Sequence, residues 1–159
     1  MTDWNLVIQS NISLLWLNEC MKKSNQNKKV EDLMKEFQAR NENVGILNSG
    51  TLMMASYFLF LYPREQEGFD VCQNIDISKF QIIEKGIANK DESQEQYIVR
   101  RIRNSLAHGN FIVDNNIIIF ADNNKTNTNK FNVNIPFIDF GKFINEFFFK
   151  SKEYSLNEK

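Results

Sequence analysis

Residues 93–109 read SQEQYIVRRIRNSLAHG, and this stretch marks the point at which a helical chain gives way to strands. At about 100° per residue, a helix here places Ile98, Ile102 and Leu106 on the side that faces the core. Gly109 ends the stretch, and glycine adopts positive φ without a Cβ clash. The stretch therefore predicts an amphipathic helix that stops at the residue before the glycine.

The chain before this helix is predicted to be helical almost throughout. Apolar residues recur at helical spacing over residues 4–21 and again from residue 30 to residue 37, with a polar turn over residues 22–29. Residues 44–62 are strongly apolar and predict a third helix, which ends where Pro63 forbids continuation. Ser78 predicts the cap of a short fourth helix. The expected face of that short helix is Phe80, Ile83 and Ile87.

The chain after the glycine is predicted to form strands and then a last helix. Residues 111–120 are rich in β-branched residues around an Asn-rich turn and predict a β-hairpin, and residues 131–135 predict a third strand. The polar residues 123–130 predict a flexible loop. Pro136 suits the first turn of the last helix, and residues 151–159 are expected to be a tail. The predicted apolar stripe of that helix is Phe137, Phe140, Phe143, Ile144, Phe147 and Phe148.

Length and composition indicate one ordinary globular domain over residues 1–159, with 42% hydrophobic and 25% charged residues. A formal net charge of −1 provides no global basic field for sequence-independent binding to duplex nucleic acid. The predicted fold is mainly α. It is a helical bundle of about five to six helices, with a small β-hairpin or three-strand appendage after residues 93–109.

Cysteine usage and hydropathy predict a cytoplasmic protein. Cys20 and Cys72 lie far apart without metal-ligand spacing, so two buried reduced thiols are expected and a disulfide is the less favoured alternative. Residues 1–5 carry neither a positive leader nor an apolar core for secretion. The most apolar run, residues 52–61, is about half of the ~20 residues that cross a bilayer. No membrane span is therefore expected.

His108 is the only histidine in the sequence, which excludes sites that need clustered imidazoles, such as a two-histidine zinc site. The sequence contains no glycine-rich phosphate-binding motif and no closely spaced cysteine pair. Asp114 and Asp122 flank the predicted hairpin, but acidic residues around an Asn-rich turn are typically turn formers. Neither a metal ion nor a cofactor is therefore expected.

The polar face of the helix over residues 93–107 collects the residues with chemistry. Arg100, Asn104 and His108 follow one another at i, i+4 and i+8, and Arg103 lies beside them. The negative end of a helix repels phosphate, so a phosphodiester site there needs cations. Arg101 completes a cluster of three arginines that can supply them.

This pattern resembles the HEPN superfamily, whose signature is an arginine, usually a polar residue next, and a histidine after a gap of four to six residues. Arg103, Asn104 and His108 match it with a gap of four. The resemblance implies a helical bundle that dimerises with its two motifs face to face, and many members are metal-independent ribonucleases. Some HEPN toxins carry a tyrosine two residues after the histidine. This chain has Asn110 there, so control through that tyrosine is not expected.

The predicted chemistry agrees with the resemblance. RNA cleaves itself when a group that titrates near neutral pH removes the 2′-hydroxyl proton and a cation stabilises the phosphorane. His108 suits the first role and Arg103 the second, because its planar fork holds two phosphate oxygens. Asn104 is expected to orient His108 or to contact the phosphate, and Arg100 and Arg101 to bind substrate. Each chain offers a single imidazole, so a homodimer through the Arg103–His108 face is predicted to supply both base and acid.

Two functions follow as hypotheses. The first is a metal-independent endoribonuclease that cleaves single-stranded RNA, as a toxin with an antitoxin partner or as an effector of an antiviral defence system. The second is a non-catalytic module that binds RNA, a nucleotide or a protein. In the simplest structural interpretation, His108 only caps a helix before glycine. That interpretation does not explain why Asn104 lies on the same helix face as His108. Duplex DNA binding is least favoured, since no recognition-helix layout is evident.

Overall fold

The computed structural model describes residues 4–42, 44–46, 48–63, 75–123 and 129–157. These residues form helices together with one small antiparallel sheet, which confirms the predicted mainly α fold class. The chain divides into two compact units, residues 2–55 and residues 56–159. The single domain stays a prediction, because compactness alone does not show whether a unit folds independently.

The first unit is helical. Its elements are α1 (Trp4–Met21), a turn of 3-10 helix (Lys23–Asn25), α2 (Val30–Arg40) and α3 (Ser49–Ser56), whose last residue begins the second unit. Helix α2 buries Leu33 and Phe37, which lie one turn apart. Phe37 packs edge to face on Trp16 of α1, with 5.3 Å between the ring centroids. Leu33 and Phe37 of the predicted apolar face are thus packed, whereas Val30 and Met34, which the same spacing included, are exposed.

Helix α3 begins later than the predicted residue 44. Asn48 accepts a hydrogen bond from the Thr51 N–H at 2.9 Å, and this side-chain cap starts the helix at Ser49. Gly50 follows and is buried. A Cβ atom at this position would lie 2.6 Å from the backbone nitrogen of Ser10 in α1. Glycine thus allows the backbones of α1 and α3 to approach closely.

The second unit joins a sheet to helices. Its elements are a π-helix (Tyr57–Leu61), β1 (Gln81–Glu84), α4 (Gln94–Ala107), β2 (Phe111–Asp114), β3 (Ile117–Asn123), β4 (Lys130–Pro136) and α5 (Phe137–Asn157). The strands form one antiparallel sheet in the order β1, β4, β3, β2. The predicted hairpin is confirmed, with Asn115 at a φ of 50° in its two-residue turn.

Strand β1 replaces the short helix that Phe80, Ile83 and Ile87 predicted. Ile82 pairs with Val133 of β4, and Ile83 and Ile87 are exposed, so the helical interpretation is wrong. The edge of β4 offers backbone donors and acceptors that the β-branched segment satisfies as a strand. Pairing across about fifty residues is not visible in the local apolar spacing.

Both ends of α4 are capped. Ser93 Oγ accepts from the Gln96 N–H at 3.2 Å, and Gln96 Oε1 accepts from the Ser93 N–H at 2.9 Å, which completes a capping box. At the other end, Gly109 adopts a φ of 66°. Asn110 donates its N–H to the Ser105 carbonyl at 2.8 Å, a bond typical of a Schellman motif. The predicted stop at Gly109 is therefore confirmed.

The core of the second unit lies where α4, α5 and the sheet meet. Ile98, Ile102 and Leu106 of α4 are completely buried, as their shared side predicted. Phe60 of the π-helix packs edge to face on Phe147 of α5, with 4.9 Å between the ring centroids. The predicted stripe of α5 is largely confirmed. Its buried members are Phe140, Phe143, Ile144 and Phe147, and its half-buried members are Phe137 and Phe148.

Three predicted boundaries near the C-terminus need correction or lie outside the described residues. Pro136 ends β4, where it pairs with Ile117, and α5 begins one residue later. The expected tail is helical as far as Asn157, because Ser151 is buried and continues the packed face of α5. Most of the predicted loop over residues 123–130 lies outside the described residues, and its two ends belong to strands.

Cys20 is exposed near the end of α1, so it is not the buried thiol that was expected, and Cys72 lies outside the described residues. Leu17 and Met21, which lie close to Cys20 on α1, are exposed as well. Among the described helices, none is both long and apolar enough to cross a membrane.

Candidate functional site at the end of helix α4

The last turn of α4 presents a polar face to solvent. Ala107 and His108 are exposed, and Arg103 and Asn104 are half-buried. His108 occupies the C-cap position, where its backbone N–H donates to the Asn104 carbonyl at 3.0 Å. Within the described residues, no side-chain hydrogen bond holds the imidazole, so this ring is available to a ligand.

Asn104 links the face to the sheet. Its Oδ1 accepts a hydrogen bond from Arg103 Nη1 at 2.9 Å, and its Nδ2 donates to Asp122 Oδ2 at 3.1 Å. Both polar groups of the amide therefore have partners among the described residues. Asn104 thus orients Arg103, whereas the sequence prediction assigned it to His108 or to the phosphate.

Arg101 lies on the buried side of α4. Its Nη1 is 3.2 Å from Asp122 Oδ2, and its Nη2 donates to the backbone carbonyls of Asp122 at 2.6 Å and Asn129 at 3.0 Å. The guanidinium also lies 5.5 Å from the ring centroid of Phe131. The side chain of Arg101 is only 5% exposed, so the predicted contact with substrate does not fit this position.

Asp122 belongs to this cluster because of the pleat of β3. Ile118, Phe120 and Asp122 alternate along the strand on its buried face, and β3 packs against α4. A buried carboxylate needs partners, and Arg101 and Asn104 provide them. Sequence reasoning treated Asp122 as a turn former. The alternation of residues 118, 120 and 122 along the strand is the sequence pattern that could have predicted the buried position of Asp122.

Arg100 forms an ion pair with Glu92 beside the polar face of α4. Its Nε and Nη2 lie 2.6 Å and 2.8 Å from the two carboxylate oxygens of Glu92, and its guanidinium lies 5.5 Å from the ring centroid of Tyr97. The pair lowers the pKa of Glu92 and raises the pKa of Arg100 further above its ordinary value. Glu92 therefore competes with any phosphate for the predicted substrate-binding Arg100.

Tyr57 is a neighbour that sequence reasoning missed. Its hydroxyl donates to the backbone carbonyl of Leu106 at 2.9 Å, in the last turn of α4. The same carbonyl accepts from the Gly109 N–H at 3.1 Å. These donors offset part of the negative charge at the helix end, where phosphate would otherwise be repelled. The contact spans 49 positions, so no local signal reports it.

The arrangement offers an exposed imidazole together with an oriented guanidinium, which suits the transfer of a proton beside a bound phosphate. Among the described residues, no group of three or more His, Cys, Asp or Glu side chains is placed to hold a metal ion. The candidate site at the end of α4 thus consists of the His108 imidazole, the Arg103 guanidinium and the Asn104 amide that bonds to this guanidinium.

Comparison with known proteins identifies the class to which this fold and site belong. The family model described as HEPN pEK499 p136 matches residues 2–157, and the chain belongs to this HEPN family. The resemblance that Arg103, Asn104 and His108 predicted is thus confirmed. Neither the curated proteins nor the solved structures contain a match to the chain. Membership of a HEPN family suggests RNA cleavage or nucleotide binding.

Proposed function

We propose that this protein is a metal-independent endoribonuclease that cleaves single-stranded RNA at the end of α4. The observation that carries the proposal is the exposed imidazole of His108, one helical turn after an asparagine that orients Arg103. An imidazole titrates near neutral pH and a guanidinium binds phosphate in a fork, so together they suit RNA transesterification. Membership of a HEPN family adds support.

The proposed reaction needs a base, an acid and a cation. His108 removes the proton from the 2′-hydroxyl, and the 2′-oxygen forms a bond to phosphorus. Arg103 stabilises the charge on the phosphorane. The bond from phosphorus to the 5′-oxygen then breaks, and an acid protonates the leaving oxygen. The products are a 2′,3′-cyclic phosphate and a 5′-hydroxyl.

A second copy of the chain is proposed to supply the acid. The sequence contains one histidine, whereas general acid–base cleavage benefits from two proton-transfer groups. A two-fold axis at the Arg103–His108 face would place two imidazoles on one phosphodiester. His108 and Ala107 are exposed, so this face is open to such a contact.

The biological role is proposed to be that of a toxin or of an antiviral defence effector in the cytoplasm. Unregulated RNA cleavage is harmful to the cell that makes the enzyme. The activity therefore requires a partner, either an antitoxin or another component of a defence system, that restrains or triggers it. The Arg103–His108 face is the surface that a restraining partner would block.

The decisive test compares purified wild type with His108→Ala on single-stranded RNA in the presence of EDTA. We expect chelator-resistant cleavage by the wild type and its loss in the variant. Lys90→Ala is the matched control, because it removes an exposed cation near the opposite end of α4. Equal cleavage by wild type and His108→Ala would refute the catalytic assignment, since a contaminating nuclease would then explain the signal.

A non-catalytic binding module is the alternative function. The ion pairs of Arg100 and Arg101 favour it, because they reduce the positive charge available to stabilise a phosphorane. RNA affinity measured by fluorescence anisotropy, together with oligomeric state by light scattering, separates the two functions. A dimer that binds RNA and never cleaves it would establish the binding module.

A further inference from the structure

We infer that Asp122 is a positioning residue for RNA cleavage, which sets the direction of the Arg103 guanidinium through the amide of Asn104. This inference rests on the proposed function and extends it to a residue outside the Arg103–His108 motif. The geometry is a chain of hydrogen bonds from the sheet to the helix face. It leads from Asp122 Oδ2 to Asn104 Nδ2 at 3.1 Å, and from Asn104 Oδ1 to Arg103 Nη1 at 2.9 Å.

The carboxylate determines which way the Asn104 amide points. An amide has a donor end and an acceptor end, and only the donor end can bond to an ionised carboxylate. With Nδ2 held by Asp122, Oδ1 must face the opposite way, toward Arg103. Without the carboxylate, the amide is free to flip and to present its NH₂ group to the guanidinium. Two donors cannot bond, so Arg103 would lose this contact.

Asp122 is itself held firmly. Arg101 reaches both its carboxylate and its backbone carbonyl, at 3.2 Å and 2.6 Å. Asp122 also lies on the buried face of β3, where the sheet restricts its backbone. Arg101 is therefore not a substrate ligand but the anchor of the residue that orients the site. A rigid supporting shell of this kind keeps a catalytic side chain in its productive geometry.

The experiment compares two double variants, Arg101→Met/Asp122→Asn and Arg101→Met/Asp122→Leu. Both remove the buried ion pair, so neither leaves an unpaired charge in the core. Asparagine and leucine are close in size to aspartate. Asparagine keeps an oxygen that can accept from Asn104, although its NH₂ group can also pair with the flipped amide, so it restores the Arg103 contact in part, whereas leucine offers no acceptor. Comparison of the two double variants therefore separates the effect of a hydrogen-bond acceptor at position 122 from the effects of charge and packing.

We expect the asparagine variant to cleave RNA with a kcat that exceeds that of the leucine variant by roughly 10- to 100-fold. KM should differ little, because the misdirected guanidinium matters most for the charge of the phosphorane. Rescue by the acceptor alone is a result that a merely structural role of Asp122 does not produce. Equal kcat values for two folded variants, with active wild type and inactive His108→Ala, would overturn the inference alone.

Inactive wild type, or activity that survives His108→Ala, would instead overturn the proposed function. If the double variants do not fold, NMR of the wild-type protein decides the question. The side-chain amide protons of Asn104, assigned through their loss in Asn104→Ala, should exchange with solvent much more slowly than those of an exposed asparagine. Exchange as rapid as that of an exposed asparagine would contradict a carboxylate that holds this amide.

Discussion

Arg101 Nη1 lies 3.2 Å from Asp122 Oδ2, and this ion pair joins α4 to β3 with both side chains buried. Removal of the arginine leaves a buried carboxylate without its cation. We expect Arg101→Ala to lower the free energy of unfolding by about 3 to 5 kcal/mol. Urea denaturation followed by circular dichroism measures it. Arg40→Ala is the control, because the Arg40 side chain is 56% exposed in its pair with Glu19 and should contribute much less. Equal losses of unfolding free energy in Arg101→Ala and Arg40→Ala would contradict a buried ion pair between Arg101 and Asp122.

Glu19 predicts a dependence of stability on pH. Lys22, Asn25 and Arg40 lower its pKa from 4.5 to about 2. A carboxyl group whose pKa is lower in the folded state stabilises the fold above its unfolded pKa. That stabilisation is lost as the pH falls from about 4.5 through about 2. We therefore expect the wild type to exceed Glu19→Gln in urea midpoint near neutral pH, with the difference shrinking across this range. A constant difference would show that Glu19 is not the titrating group.

Gly50 predicts a steric effect in the first unit. A Cβ atom there would meet the backbone of Ser10 in α1, and backbone cannot move aside as a side chain can. We expect Gly50→Ala to lower the free energy of unfolding by about 1 to 3 kcal/mol, although alanine favours helices. Lys35→Ala, at an exposed position of α2, should change it by less than about 0.5 kcal/mol. Stabilisation by Gly50→Ala would contradict the close approach of α1 and α3.

The arginines of α4 are predicted to differ in their effect on RNA cleavage. Arg103 donates to the Asn104 amide beside His108, whereas Arg100 lies on the side of the helix where it pairs with Glu92. We expect Arg103→Met to lower kcat by roughly 100- to 1,000-fold. Arg100→Met should lower it by less than about tenfold, which corresponds to about 1.4 kcal/mol. Single-turnover kinetics on one RNA separates the two. A larger loss of kcat in Arg100→Met than in Arg103→Met would support the predicted role of Arg100 in substrate binding.

Local signals predicted the helix that bears the site. The spacing of Ile98, Ile102 and Leu106 indicated its buried side, and Gly109 indicated where it ends. These features depend on neighbours within about two turns, so a single sequence contains them. Arg103, Asn104 and His108 could be identified as candidate site residues for the same reason, since their motif spans six positions at one helix end.

Features that depend on distant parts of the chain were not predictable in this way. Strand β1 forms because β4 offers it an edge, and Asn104 reaches Arg103 rather than His108 because Asp122 holds the other end of its amide. Glycine disfavours a helix, and its presence at Gly50 is explained only by the backbone of α1, which approaches it closely. In each case the deciding partner lies more than fifteen residues away along the chain.

The chemistry of the RNA ends tests the proposed site most directly. A single-stranded RNA is incubated with wild type in EDTA, beside the same RNA carrying 2′-deoxyribose at the cleaved nucleotide. Attack by the 2′-oxygen predicts a 2′,3′-cyclic phosphate and a 5′-hydroxyl from the first RNA, and no product from the second or from His108→Ala. Cleavage of the deoxy-substituted RNA, or products with a 3′-hydroxyl and a 5′-phosphate, would contradict a reaction driven by His108 and Arg103.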